Sequence, residues 1–403
     1  MSDESLKQEK LFIFILAAVQ FAHMVDFVVM MPLGPVLMKD LSITPAQFGA
    51  LVSSYNFSAG IAGFLFGTIA DQFERKKLLS ISMLGFITGT FLCGISELYF
   101  TLIMGRILAG IFGGVLNVLV FTMATDLVPF ERRGKAMGVL MGAFSVASVI
   151  GVPLGLWIAD YWGWNSTFRF IAFFSIFIIA ASFLYLPLFP AKGLKLRWTT
   201  IIKNYLGLLK KADYLYSYLL IFLVAVSMFV LIPFLSPYAV KNIGIQATDL
   251  KYMYLVGGLS TVFTARLIGK STDKHGAKKV FSHVVFGSLL PVALFTNAGH
   301  MNLFFYILMS TLFMTIVSGR MIPCMTMISE VPSQSERGSF MGLLNSIRSM
   351  GSAIATITAG FIISESADGS LIHFNTVGYI SMIIAIITVF MTKRLRLHNK
   401  NLA

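Results

Sequence analysis

Residues 67–77 read GTIADQFERKK, and residues 269–279 read GKSTDKHGAKK. Each run closes a long apolar stretch. The glycine, the aspartate and the final lysine pair stand in register at an offset of 202 residues, from Gly67 to Gly269. A second pair, VPFERRGKAMG (128–138) and VPSQSERGSFMG (331–342), matches at Gly-x-x-Met-Gly with an offset of 204, from Gly134 to Gly338. Two motifs repeated at nearly one spacing divide the 403 residues into halves built on one plan. Parallel repeats of this kind are the internal symmetry of rocking membrane carriers.

The residues between the motifs give the class. Hydrophobic side chains make up 57% of the chain and charged ones only 12%, about half the charge of a soluble domain. A crossing helix needs about 20 apolar residues. On that template spans fall near 11–38, 46–70, 78–96, 99–125, 135–160 and 166–189. Six more fall near 213–240, 250–272, 278–297, 301–328, 336–363 and 371–392. The basic, amphipathic stretch 190–212 lies between the two sets and reads as a linker resting on the membrane surface. The expected domains are therefore a six-helix bundle over 1–189, the linker 190–212 and a second bundle over 213–403. The first apolar stretch follows the polar MSDESLKQEK and is too long for a signal-peptide core, so it is expected to remain as span one.

The net charge of +13 would suggest nucleic acid as a partner in a soluble protein. Here the basic residues lie in short loops. With both termini inside, 23 Lys and Arg fall on the inner side, four on the outer side and four within spans. This bias predicts cytoplasmic termini and no role for nucleic acid. Cys93 and Cys324 both lie in apolar segments and suggest neither a disulfide framework nor a metal site. No HExxH, GxSxG or phosphate-binding loop is present, so neither membrane-embedded catalysis nor ATP hydrolysis is expected. A channel is disfavoured by the two-half repeat with its Gly- and Pro-interrupted helices. A non-transporting receptor is the remaining rival.

Asp26 is the one acidic side chain well inside a span. A carboxylate at that depth must face a cavity, pair with a cation or be protonated. Arg106 enters span four from the outer side and should reach a similar depth. The pair reads either as a proton carrier tuned by an arginine or as a permanent structural ion pair. His23, three residues before Asp26, shares its helix face and is read as an extension of a proton path, a substrate donor or a packing residue. Arg348 and Arg320, in spans eleven and ten, have no acidic partner within the second set of spans. With Asn117 of span four they are candidates for a substrate cavity. Gly110, Gly113 and Gly114 in span four and Gly142, Gly151 and Gly155 in span five suggest close helix approach, and Pro153 suggests a kink. Gly67, Asp71, Arg75 and Lys76, with Gly269 and Asp273 in the repeat, are expected at a gate. A carboxylate there can meet the positive end of a facing helix.

The segments DFVVMMPLGPVL (26–37), GTIADQFERKK (67–77), LIMGRILAGIFGG (102–114) and GVPLG (151–155) together resemble motifs of the major facilitator superfamily. Within it they resemble most the bacterial drug and sugar efflux branch of proton antiporters, including the arabinose-efflux-permease-like group. Three departures stand out: Pro153 follows Val152 rather than Gly151, Glu74 stands where the family usually has Gly, and Gln72 stands where a basic residue is common. The resemblance implies an all-α membrane protein with twelve transmembrane helices in two pseudo-symmetric six-helix bundles. It implies multi-pass residence in a bacterial inner membrane and proton-coupled efflux of a drug, sugar or metabolite by alternating access. It also places Asp71 opposite span eleven across the cytoplasmic gate. The expected partners are a small-molecule substrate, protons and the lipid bilayer. The proton gradient is the expected driving force, no cofactor or metal is expected, and the chain is expected to act as a monomer. An uptake symporter, a facilitator or a lipid flippase of the same fold is the alternative.

Overall fold

A computed structural model describes residues 3–69, 72–129, 132–188, 205–333 and 336–395, with the side chains of 3–6 and 67–69 excepted. Asp71, and the linker up to residue 204, lie outside the described residues. In sequence order, span one is Asp3–Val29, which pauses at 30–33 and resumes as Gly34–Asp40. Spans two to four are Pro45–Ile69, Arg75–Gly94 and Tyr99–Leu127. Span five is Arg133–Trp162 and span six Trp164–Tyr185. The second half holds Ala212–Ile243, Leu250–His275, Ala277–Thr296, Leu303–Ser329, Arg337–Ile362 and Phe374–Arg394 as spans seven to twelve.

Ten of these helices are both long enough and apolar enough to cross a bilayer. The other two, Leu250–His275 and Arg337–Ile362, have 26 residues each, more than the 20 or so that a crossing needs, and they are the more polar pair. The first carries Arg266, Lys270 and Asp273 and the second Asn345 and Arg348. The fold is thus an all-α membrane protein of twelve helices in two bundles. Large apolar side chains crowd the outer surface, Phe304 being 72% and Phe361 75% exposed, as side chains facing lipid rather than water can be.

The chain forms two compact units. The first comprises Met1–Met30 and Ser54–Ile201, the second Met31–Ser53 and Ile202–Ala403. The end of span one and the start of span two therefore pack with the second half of the chain. Within that unit, a Cβ on Gly360 would meet the Pro45 carbonyl oxygen at 2.8 Å, and one on Gly49 would meet the Thr356 carbonyl oxygen at 2.8 Å. Phe48 meets Phe234 edge to face at 5.7 Å between centroids. A short antiparallel ribbon, Ser364–Glu365 against Leu371–Ile372, joins spans eleven and twelve. The side-chain amide of Asn242 clamps it, bonding both the carbonyl and the N–H of Leu371 at 2.9 Å.

Pro153 sits just after a π-helical turn, Ala147–Gly151, in span five. The proline lacks the N–H that would continue the α-helical ladder, and the wider turn takes up the mismatch. A Cβ at Gly151 would strike Val25, and one at Gly155 would come within 2.7 Å of Val29 Cγ2. These glycines let span five press onto span one. Gly142 behaves otherwise: nothing lies within 4 Å of a Cβ placed there. The close approach expected at Gly142 is absent, because that turn faces open space.

Candidate functional site

Asp26 and Arg106 meet in the interior of the first unit. Both are 0% exposed, and Arg106 Nη1 donates to Asp26 Oδ2 at 2.7 Å and to the Asp26 carbonyl at 3.2 Å. Thr90 of span three donates to the other carboxylate oxygen at 3.1 Å. The guanidinium carbon lies 4.6 Å from the ring centroid of Tyr55, which itself stacks on Phe27 at 5.4 Å. Four spans thus contribute to one charged node. Packing of span four assembles it: a Cβ on Gly110 would hit Ser58, one on Gly113 the Tyr55 hydroxyl and one on Gly114 the Ala59 backbone. Small residues let spans two and four touch backbone to backbone, and that contact lays Tyr55 against Arg106.

The Asp26 carboxylate is engaged at both oxygens, whereas Arg106 keeps Nε and Nη2 buried without a hydrogen bond. A buried cation normally needs its counter-charge. Here one carboxylate and one aromatic face supply it. Protonating Asp26 would remove the only full negative charge in contact with Arg106 among the described residues, so the node can exist in two electrostatic states.

A polar ladder continues along the interface of spans one and four. His23 Nε2 lies 3.0 Å from Gln20 Oε1, and Gln20 Nε2 donates to Asn117 Oδ1 at 3.1 Å. The Tyr55 hydroxyl lies 3.5 Å from the His23 carbonyl, at the edge of hydrogen-bonding range. His23 and Asn117 thereby join one connected set with Asp26 and Arg106. Sequence reasoning missed Gln20, Tyr55 and Thr90. Each is a polar group inside an apolar helix, and that was the only signal available.

The repeated loop motifs have matching anchors. Lys76 Nζ donates to the Leu186 carbonyl at the end of span six at 2.6 Å, and Lys278 Nζ donates to the Leu395 carbonyl at the end of span twelve at 2.7 Å. Each lysine satisfies a carbonyl that its helix leaves orphaned. Arg75, 3% exposed, pairs with Asp126 at the end of span four. Glu74 caps span three, accepting from the N–H groups of Lys76 at 3.0 Å and Lys77 at 3.2 Å. In the second unit Gly276 takes the equivalent place at φ 84°, a left-handed turn that a side chain would strain. Asp273 is exposed, and a Cβ at Gly269 would meet nothing within 4 Å.

Arg320 lies at the break between Leu303–Gly319 and Met321–Ser329 and is 1% exposed. Nε donates to Ser288 Oγ at 2.9 Å and Nη1 to Ser227 Oγ at 3.3 Å. Both serines pass their own protons to backbone carbonyls of their helices, Val285 and Val224. Arg320 is therefore sealed inside the second unit rather than lining a cavity, its charge spread over hydroxyl and carbonyl dipoles. Arg348, on span eleven, is half-buried, and its guanidinium makes no hydrogen bond or ion pair among the described residues.

The model of the Major Facilitator Superfamily matches this chain twice, over residues 16–216 and 217–401, one match to each half of the repeat. The chain belongs to that superfamily and is a multi-pass membrane transporter. It is 23% identical over 380 residues to an uncharacterized transporter of the superfamily, YceJ of Bacillus subtilis, covering 94% of each. A multidrug resistance protein of Schizosaccharomyces pombe, fnx1, matches at 28% over 204 residues, 50% of this chain and 36% of that one. Among solved structures, the nucleoside transporter NupG superposes with a TM-score of 0.77 at 16% identity, covering 96% of this chain and 99% of its own. A D-xylose–proton symporter superposes with a TM-score of 0.77 at 15% identity, covering 96% and 98%.

Proposed function

We propose that this transporter is a proton-coupled exporter of a small molecule, with Asp26 as the proton-carrying group. The observation behind this reading is the node itself: a fully buried carboxylate held by one arginine nitrogen and one threonine, beside two arginine nitrogens without hydrogen bonds. A proton arriving from outside converts the carboxylate to the acid and dissolves its ion pair with Arg106. The guanidinium stays over the Tyr55 ring and shifts the balance between the two access states, favouring outward release of substrate. Loss of that proton to the cytoplasm restores the pair. The His23–Gln20–Asn117 ladder supports a proton route on the same helix interface. In this reading the protein acts as a monomer in a bacterial inner membrane with cytoplasmic termini. It needs no cofactor beyond the proton gradient, and the Arg75 and Lys76 anchors stiffen its cytoplasmic gate.

The test is substrate-driven proton movement in proteoliposomes with a trapped pH dye, screening drugs, sugars and metabolites. Wild type should move protons against substrate, and Asp26→Asn should exchange substrate without protons. Full coupling in Asp26→Asn would make Asp26 structural. Substrate movement without protons in wild type would make the protein a facilitator, and co-directional movement a symporter.

A further inference from the structure

The charges buried at membrane depth differ in kind between the two units. In the first unit Asp26, the one described carboxylate far from the ends of its span, is fully engaged by Arg106 and Thr90. In the second unit the described carboxylates, such as Asp213, Asp249, Glu330 and Glu336, stand at helix ends and in loops. Arg320 and Arg348 stand inside spans with none beside them. Arg320 is sealed, but Arg348 is not. It lies 11 residues into Arg337–Ile362, about 16 Å along the helix axis.

The face that carries Arg348 is polar and bordered by space. Asn345 and Ser349 lie on the same side of span eleven by helical spacing and, like Arg348, are half-buried. One and two turns earlier on that face come Gly342 and Gly338, where an added Cβ would meet nothing within 4 Å. An unpaired guanidinium at membrane depth is costly unless it meets water or an anion, and its fork of N–H donors matches a carboxylate or phosphate in two parallel bonds. Arg320 adds a permanent positive charge in the same unit.

We infer that the Asn345–Arg348–Ser349 face of span eleven is an anion-recognition site, and that the transported small molecule carries a carboxylate or phosphate that docks on Arg348. This deepens the exporter reading by naming the substrate class, yet it rests only on transport and not on proton coupling. A cationic substrate would meet the charge of Arg348 with no carboxylate beside it among the described residues.

The test reads the field on that face directly. Asn345→Cys, in membranes containing the full chain, is labelled with a sulfonate-bearing and with a trimethylammonium-bearing methanethiosulfonate. Cys93 and Cys324, both 0% exposed, supply little background, and Ser349→Cys serves if the first variant folds poorly. The anionic reagent should react faster, relative to its rate with a free thiol, than the cationic one. Adding Arg348→Gln should cut that ratio about tenfold, and Arg348→Lys should retain most of it. A preference for the cationic reagent, an unchanged ratio in Arg348→Gln, or no reaction with either reagent would overturn the site. In the flux screen the exported compound should be an anion whose transport falls at least tenfold in Arg348→Gln. Export of a cation unaffected by that change overturns the substrate class. Loss of proton movement alone, with labelling intact, counts against Asp26 coupling and leaves the anion site standing.

Discussion

The first unit buries a cation against a carboxylate, and the second buries one against serine hydroxyls. Arg106 faces Asp26, Thr90 and Tyr55. Arg320 faces Ser227 and Ser288, which pass the charge to helix carbonyls. Both arginines are sealed from solvent, and each ties several helices of its own unit together. They differ in what a proton can do. The first node can take two charge states separated by one proton, whereas the second has no titratable partner among the described residues. A carrier that uses protons needs one node of the first kind, and a fixed cation elsewhere does not interfere with it.

This contrast can be broken by mutation, most severely at Asp26. Asp26→Ala should cost about 3–5 kcal/mol, because it strands Arg106 as an uncompensated buried charge. Thermal unfolding in detergent measures it. The double variant Asp26→Asn, Arg106→Gln should recover much of the loss, and a double variant no more stable than Asp26→Ala would refute the stranded charge as its cause. At the second node the expectation is smaller. Arg320→Met keeps the volume and leaves the serines bonded to carbonyls, so it should cost under about 1.5 kcal/mol. A loss as large as that of Asp26→Ala would end the distinction between the nodes.

Smaller effects sharpen the comparison by testing what the units share. Lys76→Met and Lys278→Met each remove one bond to a helix-end carbonyl, and each should cost about 1 kcal/mol. Unequal losses would show that the repeat in sequence is not a repeat in energetics. The smallest effect belongs to the surface pair Lys211–Glu336, where both carboxylate oxygens accept from the ammonium at 2.7 and 2.6 Å and the Tyr214 hydroxyl donates to one of them. Bonds from Lys211 and Tyr214 hold the Glu336 carboxyl below its usual range, and the bond to Glu336 pushes the Lys211 ammonium up. The Glu336 contribution is therefore present above the ordinary carboxylate pKa of about 4.3 and is lost as pH falls below it. The Lys211 contribution is present below the ordinary lysine pKa and fades only as pH rises past it. Glu336→Gln should lower stability slightly at pH 7 and less as pH falls through the depressed Glu336 pKa, as stability curves over that range would reveal. At the matching place in the repeat the first unit holds a pair of reversed polarity, Arg132 Nη2 donating to Glu9 Oε2 at 2.7 Å.

Much of the site was legible from residue type and depth. Asp26 and Arg106 stood out because charge inside a span is rare and demands a partner, and the structure supplies one for each. Gly110 and Gly114 lie against the backbone of span two, and Gly151 and Gly155 against the side chains of Val25 and Val29. Gly142 has the same chemistry and no such contact, because a glycine does not reveal which way its turn faces. Arg320 and Arg348 looked alike in sequence, but one is sealed by serines from distant helices and the guanidinium of the other has no partner among the described residues. Tyr55 was invisible as a partner of Arg106, since their meeting depends on how closely spans two and four pack.

Sequence by itself determined the membrane class, the two-half plan and the rarity of its buried charges. Those properties follow from hydropathy, from repeat spacing and from the cost of ions in hydrocarbon, and each is local to the chain. Only the tertiary structure decided that residues 31–53 pack with the second half of the chain, that Thr90 and Tyr55 complete the Asp26–Arg106 node, and that Arg320 and Arg348 differ. Those outcomes depend on which side chains face each other across helices far apart in sequence. Helical periodicity fixes the face of a residue on its own helix and leaves its partner to packing.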